Sequence, residues 1–369
     1  MQSFIRLMKK LHASWWFALI TLGSVCASGP VPAAEATRPR QTAFEPGKPW
    51  LDTEGQPIKS HAGGILEREG IYYWYGQERA GRPSGVTVYK SKDLLNWEPL
   101  GLALTREVLP EEARERGVCE RPKVLWNAKS RRYVMWMHLD NRQYTYAMAG
   151  VAVSERPEGP FQFVDAFRPI RFDFGYPEND RCRQKELGNT FRDMNLFLDD
   201  DGQAYVFYAS EDNRTMYVVR LNEEFTRPVE PPVLGRTWAR ILVDQYREAP
   251  APFKFRNKYY LITSGCTGWN PNAADLSVAN SLFGPWTSRG NPCVGAERHL
   301  TFRAQSTFVL PAPGQPPGCF IFMADRWEPK RLEQSTHVWL PFVLREDTLV
   351  LEFKEKWDFS VFGAQVNNK

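Results

Sequence analysis

The chain has 369 residues, with 47 Lys and Arg against 43 Asp and Glu, a formal charge of +4, and 14% aromatic residues including 13 Trp. The basic residues form no blocks, which argues against a nucleic-acid or lipid surface as partner, since those need clustered Lys and Arg. The length suits one large domain, and the aromatic content suits either a filled core or rings that stack on sugar faces.

At the start of the chain Arg6, Lys9 and Lys10 precede an apolar run from Trp15 to Cys26, and Ala34-Glu35-Ala36 follows. This is the pattern of a secretory signal peptide over 1–36. The apolar run is shorter than the ~20 residues that a spanning helix needs. The expectation is an exported chain, secreted or periplasmic and without a membrane attachment after signal removal, with a linker over 37–49 and one domain over 50–369. Five cysteines then remain, Cys119, Cys182, Cys266, Cys293 and Cys319. They show no CxxC or other zinc spacing, so no metal is expected from them, and their odd number leaves at least one thiol unpaired.

From residue 60 onward, short aromatic and β-branched runs alternate with Gly, Pro, Asn and Asp turns, which predicts an all-β fold. The runs come as pairs, an apolar strand, a polar turn and a strand rich in Tyr or Phe. HAGGIL (61–66) precedes IYYWYG (71–76), and ERPKVLWN (120–127) precedes RRYVMWMH (131–138). DMNLFLD (193–199) precedes QAYVFYAS (203–210), EAPAPFKF (248–255) precedes KYYLITSG (258–265), and QSTFVLP (305–311) precedes CFIFMADRW (319–327). Equivalent positions Tyr72, Tyr133, Tyr205, Tyr259 and Phe320 lie 61, 72, 54 and 61 residues apart. Radial repetition of small antiparallel sheets at this spacing predicts a five-bladed β-propeller.

In a propeller the innermost strand of each blade lines the axis. The residues opening these strands, His61, Glu120, Asp193, Glu248 and Gln305, are polar or ionisable in every blade. Such a ring suits glycosidic cleavage, which needs a protonated acid at the leaving oxygen and a group serving water on the opposite face of the sugar, about 6.5–9.5 Å away in inverting enzymes. A second carboxylate near the acid keeps it protonated. Glu248 and Asp193 suit those two roles.

SHAGGILEREGIYYWYG, ERPKVLWN, RDMNLFLDDDG, REAPAPFKFRNKYYLITSGCTGWNPN and FRAQSTFVLP resemble glycoside hydrolase family 43, and most of all its exo-β-1,3-galactanase branch. The resemblance covers nearly everything from about Trp50 onward, with no separate carbohydrate-binding module expected. It implies Glu248 as general acid and Asp193 as modulator of its pKa. The usual family base, an Asp opening the first blade, is replaced here by His61 and Ala62. The galactanase branch shares that departure, and the resemblance then implies Gln305 as the group serving the water and Glu120 as the holder of the sugar 2-hydroxyl. Tyr144, Thr267, Trp269 and His61 are candidates for the sugar-binding wall. Asp52, in LDTEGQ, reads as a turn residue rather than a displaced base.

The implied activity is exo-acting, inverting hydrolysis of β-1,3-galactan, the arabinogalactan backbone, without a cofactor. The alternatives are another family specificity, such as arabinofuranosidase or β-xylosidase, and a non-catalytic sugar-binding propeller.

Overall fold

The computed structural model describes residues 40–78, 85–114, 117–171 and 186–367. The expected signal peptide and Cys182 lie outside these residues.

Five antiparallel sheets follow one another along the chain, four of four strands and the last of three. The innermost strand of each is its first: His61–Arg68, Val118–Asn127, Met194–Leu198, Arg247–Phe255 and Gln305–Pro311. Each packs against the first strands of the two neighbouring blades, blade 5 against blade 1 included, so the five form a closed ring. This is the propeller that the paired-strand repeat predicts. The second strands, such as Arg132–Asp140 and Ala204–Ser210, are buried almost throughout, because each is covered on both faces by neighbouring blades.

Four of the five first strands break register near their start: between His61 and Gly64, Glu120 and Lys123, Glu248 and Ala251, and Ser306 and Phe308. Ala62, Arg121 and Ala249 take φ of 50°, 51° and 54° at these bulges. A bulge re-aims side chains and backbone at the end of a strand, and here it turns groups toward the axis at one mouth. The paired glycines of HAGG have steric causes. A Cβ on Gly63 would lie 1.8 Å from the Tyr75 carbonyl oxygen, and one on Gly64 would lie 2.6 Å from Cδ of Lys123.

The ring closes between blades 1 and 5 through an aromatic seam. Trp74 and Trp97 of blade 1 meet Trp339 of blade 5, with Phe44, Trp50 and Trp357 packed on them. Phe44 and Trp357 exchange backbone hydrogen bonds of 2.7 and 3.0 Å and stack with ring centroids 4.1 Å apart. Within the linker expected over 37–49, Ala43, Phe44 and Pro46 are buried while Lys48 and Pro49 are exposed, and the apolar area of Phe44 holds this stretch to the seam. Most of the tryptophans fill the core in this way; Trp74, Trp97, Trp136, Trp238 and Trp339 are wholly buried. Asp52 closes a turn, its Oδ1 accepting the backbone N–H groups of Glu54 and Gln56 at 3.0 and 2.8 Å. Among the described residues Cys266, Cys293 and Cys319 are free thiols.

Candidate active site

At the bulged mouth of the axis lies a cavity of about 250 Å³, lined by residues from all five blades. The structure brings Glu120, Asp193, Glu248, Gln305, Tyr144 and Trp269 to it. It does not bring His61 or Thr267. His61 is buried behind the wall, stacked on His337 at 4.7 Å with Nε2 3.0 Å from the Ser335 carbonyl oxygen, and Ala62 takes its place in the lining. The blade 1 bulge causes this: the backbone N–H of Ala62 is tied to the Asp325 carboxylate of blade 5. The Thr267 hydroxyl is spent inside its own turn, donating to the Asn270 carbonyl at 2.6 Å and accepting from Asn272 Nδ2 at 2.7 Å.

Glu248 sits where blades 2, 3, 4 and 5 converge. Its Oε1 accepts a hydrogen bond from Gln305 Nε2 at 2.9 Å, and its Oε2 lies 3.4 Å from Asn213 Nδ2. Burial, and then the nearby Asp193 carboxylate, push the Glu248 carboxyl up to about 8, against the opposing pull of Arg121, Cys266 and Gln305. Near neutrality the group therefore holds a proton. Asp193 accepts from Arg121 Nε at 2.8 Å and from the Ala249 backbone N–H at 3.0 Å, so the residue after the acid is fastened to the neighbouring blade.

Arg121, which sequence reasoning passed over, organises the centre. Its guanidinium reaches Asp193, the Gln305 side-chain oxygen at 2.7 Å and the Ser306 carbonyl at 3.2 Å, while its backbone N–H donates to Gln77 at 3.1 Å. Trp327 Nε1 also donates to the Gln305 oxygen, at 3.0 Å. Because Arg and Trp are donors only, they fix which end of the Gln305 amide is oxygen. The amide nitrogen then faces Glu248 and Ser264 Oγ, the latter at 3.0 Å. All four hydrogen-bonding positions of the amide are occupied. The expected separation between acid and water-serving group is absent in this state, since Glu248 and Gln305 are in direct contact.

On the blade 2 side, Glu120 is held by Tyr144, whose hydroxyl donates to Oε1 at 3.0 Å, and by His138 Nδ1 at 3.2 Å from Oε2. His138 Nε2 faces Asp140 at 3.0 Å. Burial opposes charge on the imidazole, but the hydrogen bonds to Asp140 and Glu120 win and raise it to about 9. Glu120, His138 and Asp193 are close enough to suggest metal ligands. Both ring nitrogens of His138 face carboxylates, those of Glu120 and Asp140, while Asp193 is held by Arg121.

Asn213 and Arg192 also line the cavity, along with Trp327, whose ring meets Trp269 edge-on at 5.2 Å. Asn213 is delivered by a run of left-handed residues, Glu211, Asp212 and Asn213 at φ of 51°, 53° and 65°. Glu211 anchors that run through Thr215, Tyr217 and both arms of Arg240 at 2.6–2.8 Å. No local motif announces these loop residues. Arg121 and Trp327 lie inside strand motifs, beside residues whose role is easier to see.

A closed five-bladed propeller with a protonated carboxyl, a second carboxylate and flanking tryptophans in one axial cavity is the architecture of a glycosidase. Residues 59–311 match the profile of the glycosyl hydrolases family 43, and the chain belongs to that family. No curated protein matches it. Among solved structures, a family 43 β-1,3-galactosidase with galactodeoxynojirimycin is 36% identical, with a TM-score of 0.75 over 86% of this chain and 100% of that one. The exo-β-1,3-galactanase 1,3Gal43A from Clostridium thermocellum is 35% identical, with a TM-score of 0.75 over 85% of this chain and 66% of that one. A variant of the exo-β-1,3-galactanase from Phanerochaete chrysosporium, solved with β-1,3-galactotriose, is 30% identical, with a TM-score of 0.73 over 86% of this chain and 68% of that one. The chain thus spans about two thirds of the length of the latter two proteins.

Proposed function

We propose that this protein is an exported, exo-acting hydrolase that releases galactose from β-1,3-galactan with inversion at the anomeric carbon. The observation that carries the reading is Glu248, a carboxyl pushed to about 8 at the floor of the axial cavity with Asp193 and Gln305 beside it. The galactanase and β-1,3-galactosidase neighbours supply the substrate class. The basic and apolar start of the chain supports export.

In this mechanism the entering sugar displaces Gln305 from Glu248. Glu248 gives its proton to the departing glycosidic oxygen as the C1–O bond breaks. A water on the other face of the ring forms the new C1–O bond, and its surplus proton restores Glu248 over the cycle. The freed Gln305 N–H orients that water, while Arg121 and Trp327 hold the amide oxygen still. Glu120, fixed by Tyr144 and His138, accepts the sugar 2-hydroxyl, a contact that strengthens as charge develops at C1. Trp269 offers its face to the ring.

Product analysis on de-branched arabinogalactan, with arabinan and xylan alongside, tests this. Galactose from the first substrate alone is the expected result. Pentose release from the others would assign a different specificity, and no release from any would make the propeller a binding protein.

A further inference from the structure

The axis below the catalytic cavity is crossed by side chains that the chemistry does not use. Lys123 is wholly buried, and its Nζ donates to the carbonyl oxygen of Ala62 in blade 1 at 2.8 Å and approaches that of Arg121 in blade 2 at 3.4 Å. Opposite it, Asn195 Nδ2 bridges the carbonyls of Pro250 in blade 4 and Thr307 in blade 5, both at 2.9 Å. Ser306 Oγ donates to the Ala249 carbonyl at 2.6 Å.

These acceptors sit in or next to the bulges that present Arg121, Glu248 and Gln305. A bulge leaves carbonyls without a ladder partner, and a buried carbonyl without a donor is costly. Here inward-turned carbonyls from four blades find their donors on two axial side chains and one hydroxyl. Beneath them lies a second cavity, of about 300 Å³, at the opposite mouth, lined by the Lys123 stem with Gly64, Leu196, Phe253 and Phe308. The missing Cβ of Gly64 is what lets the stem pass, since a side chain there would collide with Lys123 Cδ at 2.6 Å.

We propose that Lys123 and Asn195 form an axial lock that separates the two mouths and positions the catalytic bulges. Lys123 acts through Arg121, and Asn195 through the strands that carry Glu248 and Gln305. Lys123 is a positioning residue, since its amine touches only backbone carbonyls. Burial and the neighbouring Arg121 hold that amine well below the ordinary lysine range, against Asp325 and Asp193. Its contribution to the site is the directional N–H donation to the Ala62 and Arg121 carbonyls. If Arg121 loses its footing, Glu248 loses an interaction that lowers its pKa.

This inference rests on the reading of Glu248 as the proton donor. The test uses Lys123→Met, which keeps the stem and removes the donors, Lys123→Ala, which opens a space the size of n-propylamine, and Asn195→Ala on the other half of the lock. In Lys123→Met, kcat on galactan should fall by about 10–100-fold, the range for displaced catalytic groups, with KM within about threefold. The high-pH limb of its rate profile should move upward. Added n-propylamine should raise both kcat and melting temperature of Lys123→Ala and leave the wild type unchanged. Wild-type kcat and an unmoved limb in folded Lys123→Met would overturn the proposal, as would a folded Lys123→Ala indifferent to the amine. Should neither lysine variant fold, an unmoved limb in Asn195→Ala overturns it. A wild type silent on galactan would retire the galactanase reading instead, and propylamine-dependent melting would then decide the lock alone.

Discussion

Gln305 donates to Glu248 Oε1 at 2.9 Å while its own oxygen is held by Arg121 at 2.7 Å and Trp327 at 3.0 Å. A donor aimed at a carboxyl favours the ionised form, so Gln305 keeps the Glu248 pKa lower than burial and Asp193 alone would set it. Gln305→Ala should lower kcat by about 10²-fold, comparable to the loss of one oriented donor, with a smaller change in KM. It should also shift the high-pH limb of activity upward. Steady-state kinetics across pH reads both effects, and a limb that moves downward would contradict the assigned amide orientation.

Glu248→Gln keeps the size of the side chain and removes its transferable proton. Turnover should drop by about 10²–10⁴-fold, while galactan binding measured by calorimetry persists. In the wild type, activity should decline as pH rises through about 8, where Glu248 ionises.

The same substitution should alter stability in a direction fixed by linkage. The carboxyl is raised from 4.5 to about 8 on folding, so between those values the unfolded chain releases a proton that the folded one keeps. The wild type therefore loses stability from this group as pH climbs from 4.5 to 8. Glu248→Gln should melt higher than wild type at pH 8 and about equally at pH 4, as calorimetric scans at the two pH values would reveal.

His138 carries a linkage of the same sign in a higher pH window. Its pKa rises from 6.5 to about 9 on folding, so its contribution is complete below 6.5 and disappears as pH passes 9. Asp140→Asn removes one of its two carboxylates, which should lower the melting temperature at pH 7 and loosen Glu120. KM for galactan should rise by about tenfold, the size of one charged hydrogen bond. A substrate lacking the 2-hydroxyl should show little of that rise.

Trp269 and Trp327 stand edge to face at 5.2 Å in the cavity wall. If the face of Trp269 carries a galactose ring, Trp269→Ala should raise KM by about 2–10-fold, the range for a stacking contact. An unchanged KM would return Trp269 to the role of blade packing.

A water attacking opposite the scissile bond, with no carboxylate nucleophile pressed against C1, delivers the α-anomer first. Proton NMR of fresh product should show α-galactose before mutarotation. An initial β-anomer would require a covalent intermediate and would direct attention to Glu120.

The propeller was legible because strand pairs repeat with the same turn chemistry and because inner strands are apolar after one polar opening residue. That rule picks out Glu120, Asp193, Glu248 and Gln305, which the fold does gather in one cavity. It misplaces His61, since the bulge after it ties Ala62 to Asp325 and turns the imidazole against His337. Thr267 misled because a hydroxyl near the cavity can be consumed by its own turn. Arg121 was hidden for the opposite reason: a basic residue after a strand-opening Glu looks solvated until the bulge folds it inward. Phe44 lies in a stretch with the composition of a linker, and partners distant in sequence, Trp339 and Trp357, make it core.

The aromatic seam between blades 1 and 5 gives the ring its own optical reporter. Trp74 and Trp339 lie 4.8 Å apart at 56°, and Trp50 and Trp339 lie 5.0 Å apart at 77°. Indole transitions this close and this far from parallel couple excitonically and produce a paired positive and negative circular-dichroism band. Among the described residues, blades 2, 3 and 4 hold only Trp136 and Trp238 as wholly buried indoles, and neither belongs to the seam. Loss of that couplet would therefore time the moment when the circle opens, while the far-ultraviolet sheet signal follows the blades themselves.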